Sequence, residues 1–396
     1  MRALLTSFGS TGDAQPFLAL ATELRRSGHQ PLLALSPYFA ERVQRLGFAF
    51  APIGAEADPD ILRRVGAAQM TMSTPAEQVK YFLEMTLPFV PVMFRDLQAL
   101  CREADVLIST PFQFAARMAH ETTGLPLVSI HLSQFGAFGG KALREVSAPP
   151  INQCRAQAGL PPLPDPLGAD GASPQLALYA VSRKVFRPPA RWPAHHYVTG
   201  YFFLDEETGE PDPALQEFLE AGEPPVVVTF GSVAHPSAEA AALTQLVLAA
   251  IQQAGCRAIL QRGISGLGQG PLPDATRVHT IGFASHHWLF PRAACVVHHG
   301  GAGTTAAAFQ AGVPTVVVPH TLDQPLWAEF ARAFGCAGAV IPYGRLTAEN
   351  LGAAISKTLT EPRHRQAAAA FGEQIRAEHG VQTARELIER LLISLN

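Results

Sequence analysis

Short apolar runs alternate with helical patterns along this chain, and after one interruption the alternation starts again. Apolar runs at residues 2–8, 31–36, 106–110 and 127–131 are interleaved with helical patterns at 15–27 and 114–123. Such alternation signals βαβ units around a parallel sheet, whose strands read as continuous apolar runs because crossover helices cover both faces. The same grammar resumes at 226–230, continues through a helical pattern at 238–254, and recurs at 257–260, 278–281, 295–298 and 315–318. At about 100–200 residues per domain, a chain of 396 residues has room for both series as separate α/β units. Gly and Pro, 33 of each, suit many short turns and argue against a coiled coil.

Between the two series, the stretch 203–225 concentrates acidic residues, Gly and Pro, as linkers do. The expected division is therefore a first domain at 1–205, a linker at 206–225 and a second domain at 226–379. A final amphipathic pattern at 383–395 lies beyond the last predicted strand, so the segment 380–396 is expected to dock back on the first domain. Two stretches depart from the alternation, a mostly helical one at 55–104 rich in Met and Phe, and a Pro-rich one at 146–173.

Charge excludes one class of partner. With 30 Lys+Arg against 33 Asp+Glu the net charge is −3, so no nucleic-acid partner is indicated. The five cysteines, Cys101, Cys154, Cys256, Cys295 and Cys336, include no CxxC pair, which points to neither a disulfide framework nor a zinc site. No apolar run reaches the roughly 18 residues of a membrane span, and the first apolar run is too short for a secretory signal. The expectation is a soluble cytoplasmic protein, monomer or homodimer, with no cofactor and no metal.

Ligands of doubly wound sheets bind beyond the carboxyl ends of the strands, so the residues after each apolar run matter most. After the first run, Gly9-Ser10-Thr11-Gly12-Asp13 forms a turn that leaves a carboxylate near the start of a helix. Asp13 there is either a cap or a general base. After the run at 295–298 comes His299-Gly300-Gly301-Ala302-Gly303-Thr304-Thr305, a junction suited to an anion. Its glycines admit close approach, and the helix N–H groups and Thr hydroxyls donate. It contains no lysine, so it is not a P-loop, and its glycines do not match GxGxxG. Of His298 and His299, adjacent at a strand end, one is expected to face the ligand. Gly231-Ser232 repeats the turn logic in the second series, and Asp323-Gln324 pairs a carboxylate with an amide able to bridge vicinal hydroxyls, or to cap the next helix.

These residues carry a resemblance. GSTGDAQPFLALA at 9–21 and GFASHHWLFPRAACVVHHGGAGTTAAAFQAGVPTVVVPHTLDQPLWA at 282–328 resemble the two motifs of family 1 glycosyltransferases of the bacterial type that decorate antibiotics, sterols and glycolipids. The resemblance covers nearly the whole chain. It implies an α/β fold of two Rossmann-like doubly wound domains facing a central cleft, the glycosyltransferase B fold, with the acceptor on the first domain and a nucleotide sugar on the second. It makes Asp13 the base, and places Ser232, His299, Gly301, Gly303 and Thr304 at the diphosphate. Phe283 then stacks on the nucleobase, while Asp323 and Gln324 hold the sugar. Plant members carry a glutamate for the ribose where this chain has Ala307, so ribose recognition is unassigned and UDP or dTDP both remain open, with UDP-glucose favoured by the intact Asp-Gln pair.

The implied reaction is an inverting, metal-independent hexose transfer to a hydroxyl of a lipophilic acceptor: a phenol, a sterol or terpenoid, a polyketide or a hydroxylated fatty acyl chain. Phe82, Phe89, Phe112, His131 and Phe135 are the residues expected to line the acceptor pocket. A lipid acceptor would also suit peripheral membrane contact by the helical insert around Tyr81 to Phe94. Two rivals differ in class. An epimerase on the same fold would need further acid/base groups at the sugar, and a non-catalytic homologue would have little reason to keep Asp13, His299, Asp323 and Gln324 together.

Overall fold

The computed structural model describes the chain apart from residues 55–67, 69–71, 73, 134–139, 169, 205–211, 232, 234, 236, 269–273, 275 and 396. The described residues fall into two units, those within Met1–Ile61, Met72–Leu204 and Glu378–Asn396 and those within Leu62–Thr71 and Asp205–Ala377. In the first, β1 (Arg2–Thr6), β2 (Gln30–Leu35), β3 (Ala49–Pro52), β4 (Val106–Ser109), β5 (Leu127–His131), β6 (Leu176–Tyr179) and β7 (His196–Val198) form a parallel sheet in the order β3-β2-β1-β4-β5-β6-β7. Ala3 and Leu5 enter one core layer with Phe17 and Leu20 of the helix Thr11–Arg26, whereas Leu4 enters the other with Val90, Leu97 and Leu107. A strand whose alternate residues meet two different cores has no polar face to display, which is why β1 reads as an unbroken apolar run.

The second unit repeats the plan with β8 (Val226–Thr229), β9 (Ala258–Gln261), β10 (Val278–Ile281), β11 (Cys295–His298), β12 (Thr315–Val317) and β13 (Ala337–Val340), ordered β10-β9-β8-β11-β12-β13. Val226 and Val228 pack with Leu243 and Val247 of the helix Ser237–Ala254, and Val227 packs on the opposite layer with Leu289 and Phe290. Each sheet reverses its winding at one pair, β1 with β4 and β8 with β11. At such a switch point the outgoing loops diverge and leave the strand ends open for a ligand. The Asp13 turn follows β1, and the His299 turn follows β11.

Within the stretch 206–225, residues Pro213–Glu220 form a helix capped by Asp212, whose Oδ1 accepts from Ala214 N at 3.0 Å. Leu215 and Phe218 bury themselves against Val227, Ile259 and Ile281, so this part is core of the second unit. Acid and Gly content had masked a short amphipathic helix. The Pro-rich stretch is tied down rather than loose. Pro149 and Pro150 lie inside the helix Lys141–Gln157, and the buried Arg155 pairs with Glu121 at 2.7 Å and donates twice to Pro161 O.

The helix Gly380–Leu395 belongs to the first unit. Ala384 and Ile388 enter the same core layer as Phe17, and Arg385 bridges Glu23 at 3.1 Å and Glu389 at 2.7 Å. A Cβ on Gly380 would overlap Tyr201 O, so only glycine admits this return. Among the described residues no helix is long and apolar enough to cross a membrane.

Candidate functional site

The turn after β1 is built around one carboxylate. Gly9, at φ +133°, takes a backbone conformation L side chains avoid, and a Cβ there would overlap the carboxylate of Asp13. Asp13 Oδ2 accepts from Ser10 N at 2.7 Å and Ser10 Oγ at 3.0 Å, while Ser10 Oγ accepts from Gly12 N at 3.3 Å, completing a capping box. The N-cap is thus Ser10, and Asp13, the third residue of the helix, closes the box from inside it rather than capping the helix itself. The box also orients the carboxylate at the switch point of the sheet, half-buried, as a base would need to be.

Around this turn lie aromatic rings. Phe82 meets Phe8 at 6.2 Å and Phe112 at 5.9 Å, both edge-on, and Phe89 packs on the same core layer. Phe8 was not singled out from the sequence, although it precedes Gly9. His131 stands in a different aromatic group, stacked on Tyr179 at 4.2 Å, with Phe186, Trp192 and His196 packed around that tyrosine. Phe135 lies outside the described residues.

In the second unit the site forms at the ends of β8, β11 and β12. His298, fully buried, accepts from Gly300 N at 3.1 Å through Nδ1. His299 is buried too, its ring flanked by glycines: a Cβ on Gly231 would come within 2.7 Å of Cε1, and one on Gly301 would overlap Nε2. Its ring reaches the backbone of Thr229 at the end of β8. Gly301 is the N-cap of the helix Ala302–Ala311 and offers no side-chain cap, so the first helical N–H groups keep their donor capacity for a ligand. Gly303 has open space where a Cβ would stand, and Thr304 is buried beside it. Ser232 lies outside the described residues.

Asp323 occupies the N-cap of the helix Gln324–Ala333 without capping it. Its Oδ2 instead accepts from Trp327 Nε1 at 2.8 Å, and burial pushes its pKa up, opposed by that indole bond. Gln324 Oε1 accepts from His320 N at 2.8 Å and Thr321 N at 3.2 Å, so only its Nε2 remains to offer a ligand. The turn between them contains Leu322 at φ 55°, a costly backbone for a branched residue. Phe283, just beyond β10, is 65% exposed, an uncovered aromatic face. Among the described residues no group of three or more His, Cys, Asp or Glu is placed to hold a metal.

Burial, reinforced by neighbouring histidines, holds His131, His298, His299 and His320 down to about 3, and His196 and His286 to about 4. Between those values and 6.5 the unfolded chain binds protons that the folded chain refuses, so stability rises with pH in that window. Thermal midpoints measured from pH 7.5 down to 4 should fall progressively below pH 6.5; a midpoint flat to pH 4 would show that these imidazoles are not buried neutral.

Comparison with known proteins places this geometry. Residues 3–135 match the glycosyltransferase family 28 N-terminal domain, and residues 245–391 match the erythromycin biosynthesis protein CIII-like C-terminal domain. The chain is 33% identical over 425 residues to O-mycaminosyltylonolide 6-deoxyallosyltransferase of Streptomyces fradiae, covering 98% of this chain and 97% of that enzyme. It is 29% identical to the sterol 3-beta-glucosyltransferase UGT80A2 of Arabidopsis thaliana, spanning 64% of that enzyme's length. Among solved structures, the glycosyltransferase of kitacinnamycin aligns with TM-score 0.74 at 22% identity over 99% of each chain. VinC, a glycosyltransferase solved with dTDP, aligns with TM-score 0.74 at 21% identity over 100% of each. Those two likenesses show the fold, and the Streptomyces relative shows the family: the chain is a glycosyltransferase of family 1, with a family 28 N-terminal domain, an EryCIII-like C-terminal domain and the glycosyltransferase B fold.

Proposed function

We propose that this glycosyltransferase moves a hexose from a nucleoside diphosphate sugar to a hydroxyl of a lipophilic small molecule, with inversion at the anomeric carbon. One observation carries the reading: the Asp13 carboxylate is pinned by its own capping box at the switch point of the first sheet, in a turn that only Gly9 permits. Asp13 takes the acceptor proton as the acceptor oxygen bonds to the anomeric carbon, and the bond to the diphosphate breaks. The electron pair leaves on the diphosphate. The N–H groups following Gly301, with His299 and Thr304, stabilise that charge. Ser232 contributes to the same contact, Phe283 stacks on the base, and Asp323 and Gln324 hold the sugar hydroxyls.

The first unit holds the acceptor, with Phe82, Phe89 and Phe112 as its apolar wall; His131, stacked on Tyr179, stands in a separate group. For the donor, UDP-glucose is the first reading, its glucose supported by the Asp323-Gln324 pair and by similarity to sterol glucosyltransferases. A dTDP-linked 6-deoxyhexose is the second, favoured by the 6-deoxyallosyltransferase relative and by the dTDP complex of VinC. Calorimetric titration with UDP and dTDP separates them. Binding of UDP at least tenfold tighter would support the first reading; the reverse preference would overturn it for the second.

A further inference from the structure

We propose that His320 recognises the sugar of the donor: its imidazole hydrogen-bonds a hydroxyl of the transferred hexose, so that the sugar nucleotide binds more tightly than the bare nucleotide. This deepens the reading above and rests on its assignment of Asp323 and Gln324 to the sugar. His320 follows β12, and its backbone N–H is held by Gln324 Oε1 at 2.8 Å, so the three residues share one turn.

The imidazole is housed rather than loose. It stacks on Tyr343 at 4.2 Å and 22°, and meets Phe230 and His235 at 5.4 Å each, at 62° and 60°. That housing is itself fixed, because Tyr343 Oη donates to Glu239 Oε1 at 2.7 Å and lies 3.4 Å from His235 Nδ1. Yet only one ring nitrogen of His320 has a partner, the backbone oxygen of Val318, and the other is buried without one among the described residues, as is Nε2 of His235. Buried polar atoms are almost always paired, and leaving one unpaired is costly. An aromatic housing of this kind would accept phenylalanine without that cost. A ring held in place by its neighbours and by Val318 O, with its second nitrogen unmatched, is placed for a ligand.

The chemistry of the ring selects which ligand. Burial, with His299 and His235 nearby, keeps the imidazole neutral at physiological pH, so the nitrogen facing Val318 O donates and the other accepts. A hydroxyl can donate to it. A diphosphate only accepts, and the donors after Gly301 suit it better. Beside His320, the carboxylate of Asp323 only accepts when ionised, and Gln324 has only its Nε2 donors left. His320 therefore adds a neutral acceptor for a sugar hydroxyl to this turn.

Titration calorimetry of the full chain with UDP, UDP-glucose, dTDP and dTDP-glucose tests the proposal on wild type, His320→Phe and His320→Gln. The wild type should bind each sugar nucleotide more tightly than its nucleotide. His320→Phe should weaken the sugar nucleotide about tenfold and leave the nucleotide within about twofold. Its thermal midpoint should equal or exceed the wild type's, since an unmatched polar ring has gone, and His320→Gln should restore part of the sugar affinity. Equal weakening of nucleotide and sugar nucleotide would overturn the proposal in favour of a phosphate contact. An unchanged ratio with a lowered midpoint would make His320 a packing residue, and a wild type that gains nothing from the sugar would also overturn it. If wild type bound neither nucleotide, the donor reading itself would fall, an outcome distinct from loss of the sugar increment alone.

Discussion

Replacing Asp13 with asparagine is expected to slow sugar transfer by about 10²–10⁴-fold while nucleotide affinity stays within about twofold. Asparagine suits this test because its side-chain oxygen can still accept from Ser10 N and Ser10 Oγ, the bonds that orient the carboxylate now. Only the charge and basicity go, and the lost favourable charge near the helix N-terminus costs about 0.3–1 kcal/mol of stability. Alanine would remove the base together with its bonds to Ser10 N and Ser10 Oγ, adding about 0.5–1.5 kcal/mol of destabilisation. The two variants should therefore be equally inactive but melt differently. Transfer surviving in Asp13→Asn to within about threefold would show that the carboxylate closes the capping box and does nothing more.

Gly301→Ala should cost at least about 10²-fold in transfer, because a misplacement of about 1 Å at a reacting group has that effect. The new Cβ overlaps Nε2 of His299, and that ring, already flanked by Gly231, has no slack on its other side. Either the ring or the helix N-terminus must shift, and overpacking of this kind costs about 1–3 kcal/mol. Gly303→Ala is the control for stability alone, since its Cβ meets no protein atom within 4 Å. That variant should fold with unchanged or slightly higher stability, alanine being the better helix former by about 1 kcal/mol. If Gly301→Ala kept wild-type nucleotide affinity and transfer, the ring of His299 would have no part in the site.

Much of this frame was legible in the chain before any coordinates. The strands β1, β8 and β11 announce themselves because they are buried on both faces, and unbroken Val and Leu runs have few other readings. β3, β6, β7 and β13 went unread. β13 is Ala337-Gly338-Ala339-Val340, a strand with almost no apolar bulk, and β7 spans only His196–Val198 with Tyr197 exposed. Such strands form because a neighbour offers a ladder, which no local pattern records. The helix Pro213–Glu220 was hidden in the same way by the acidic residues around Leu215 and Phe218.

The site divides along similar lines. Asp13, His299 and the glycines beside them were visible because each sits in a glycine turn directly after an apolar run. Gly9, Gly231 and Gly301 acquire a reason only in three dimensions, where each makes room for a ring or carboxylate. Phe8, and the rings of His235, His320 and Tyr343, come from turns far apart in sequence, so nothing in their spacing marks them as neighbours. Neither aspartate caps its helix as the sequence suggests: Ser10 is the N-cap before Asp13, which closes the capping box from the third position, and Asp323 sits at the N-cap but binds Trp327 instead.

The most direct test is mass-spectrometric detection of transfer, in EDTA, from UDP-glucose and in parallel dTDP-glucose, to a pooled set of phenols, sterols, terpenoids, polyketides and hydroxy fatty acids. The expected result is an acceptor heavier by one hexose with wild-type protein, at a rate reduced about 10²-fold or more in Asp13→Asn. Nucleotide binding with equal product from wild type and Asp13→Asn, or product that appears only when a divalent cation is restored, would contradict a base-driven transfer by this site.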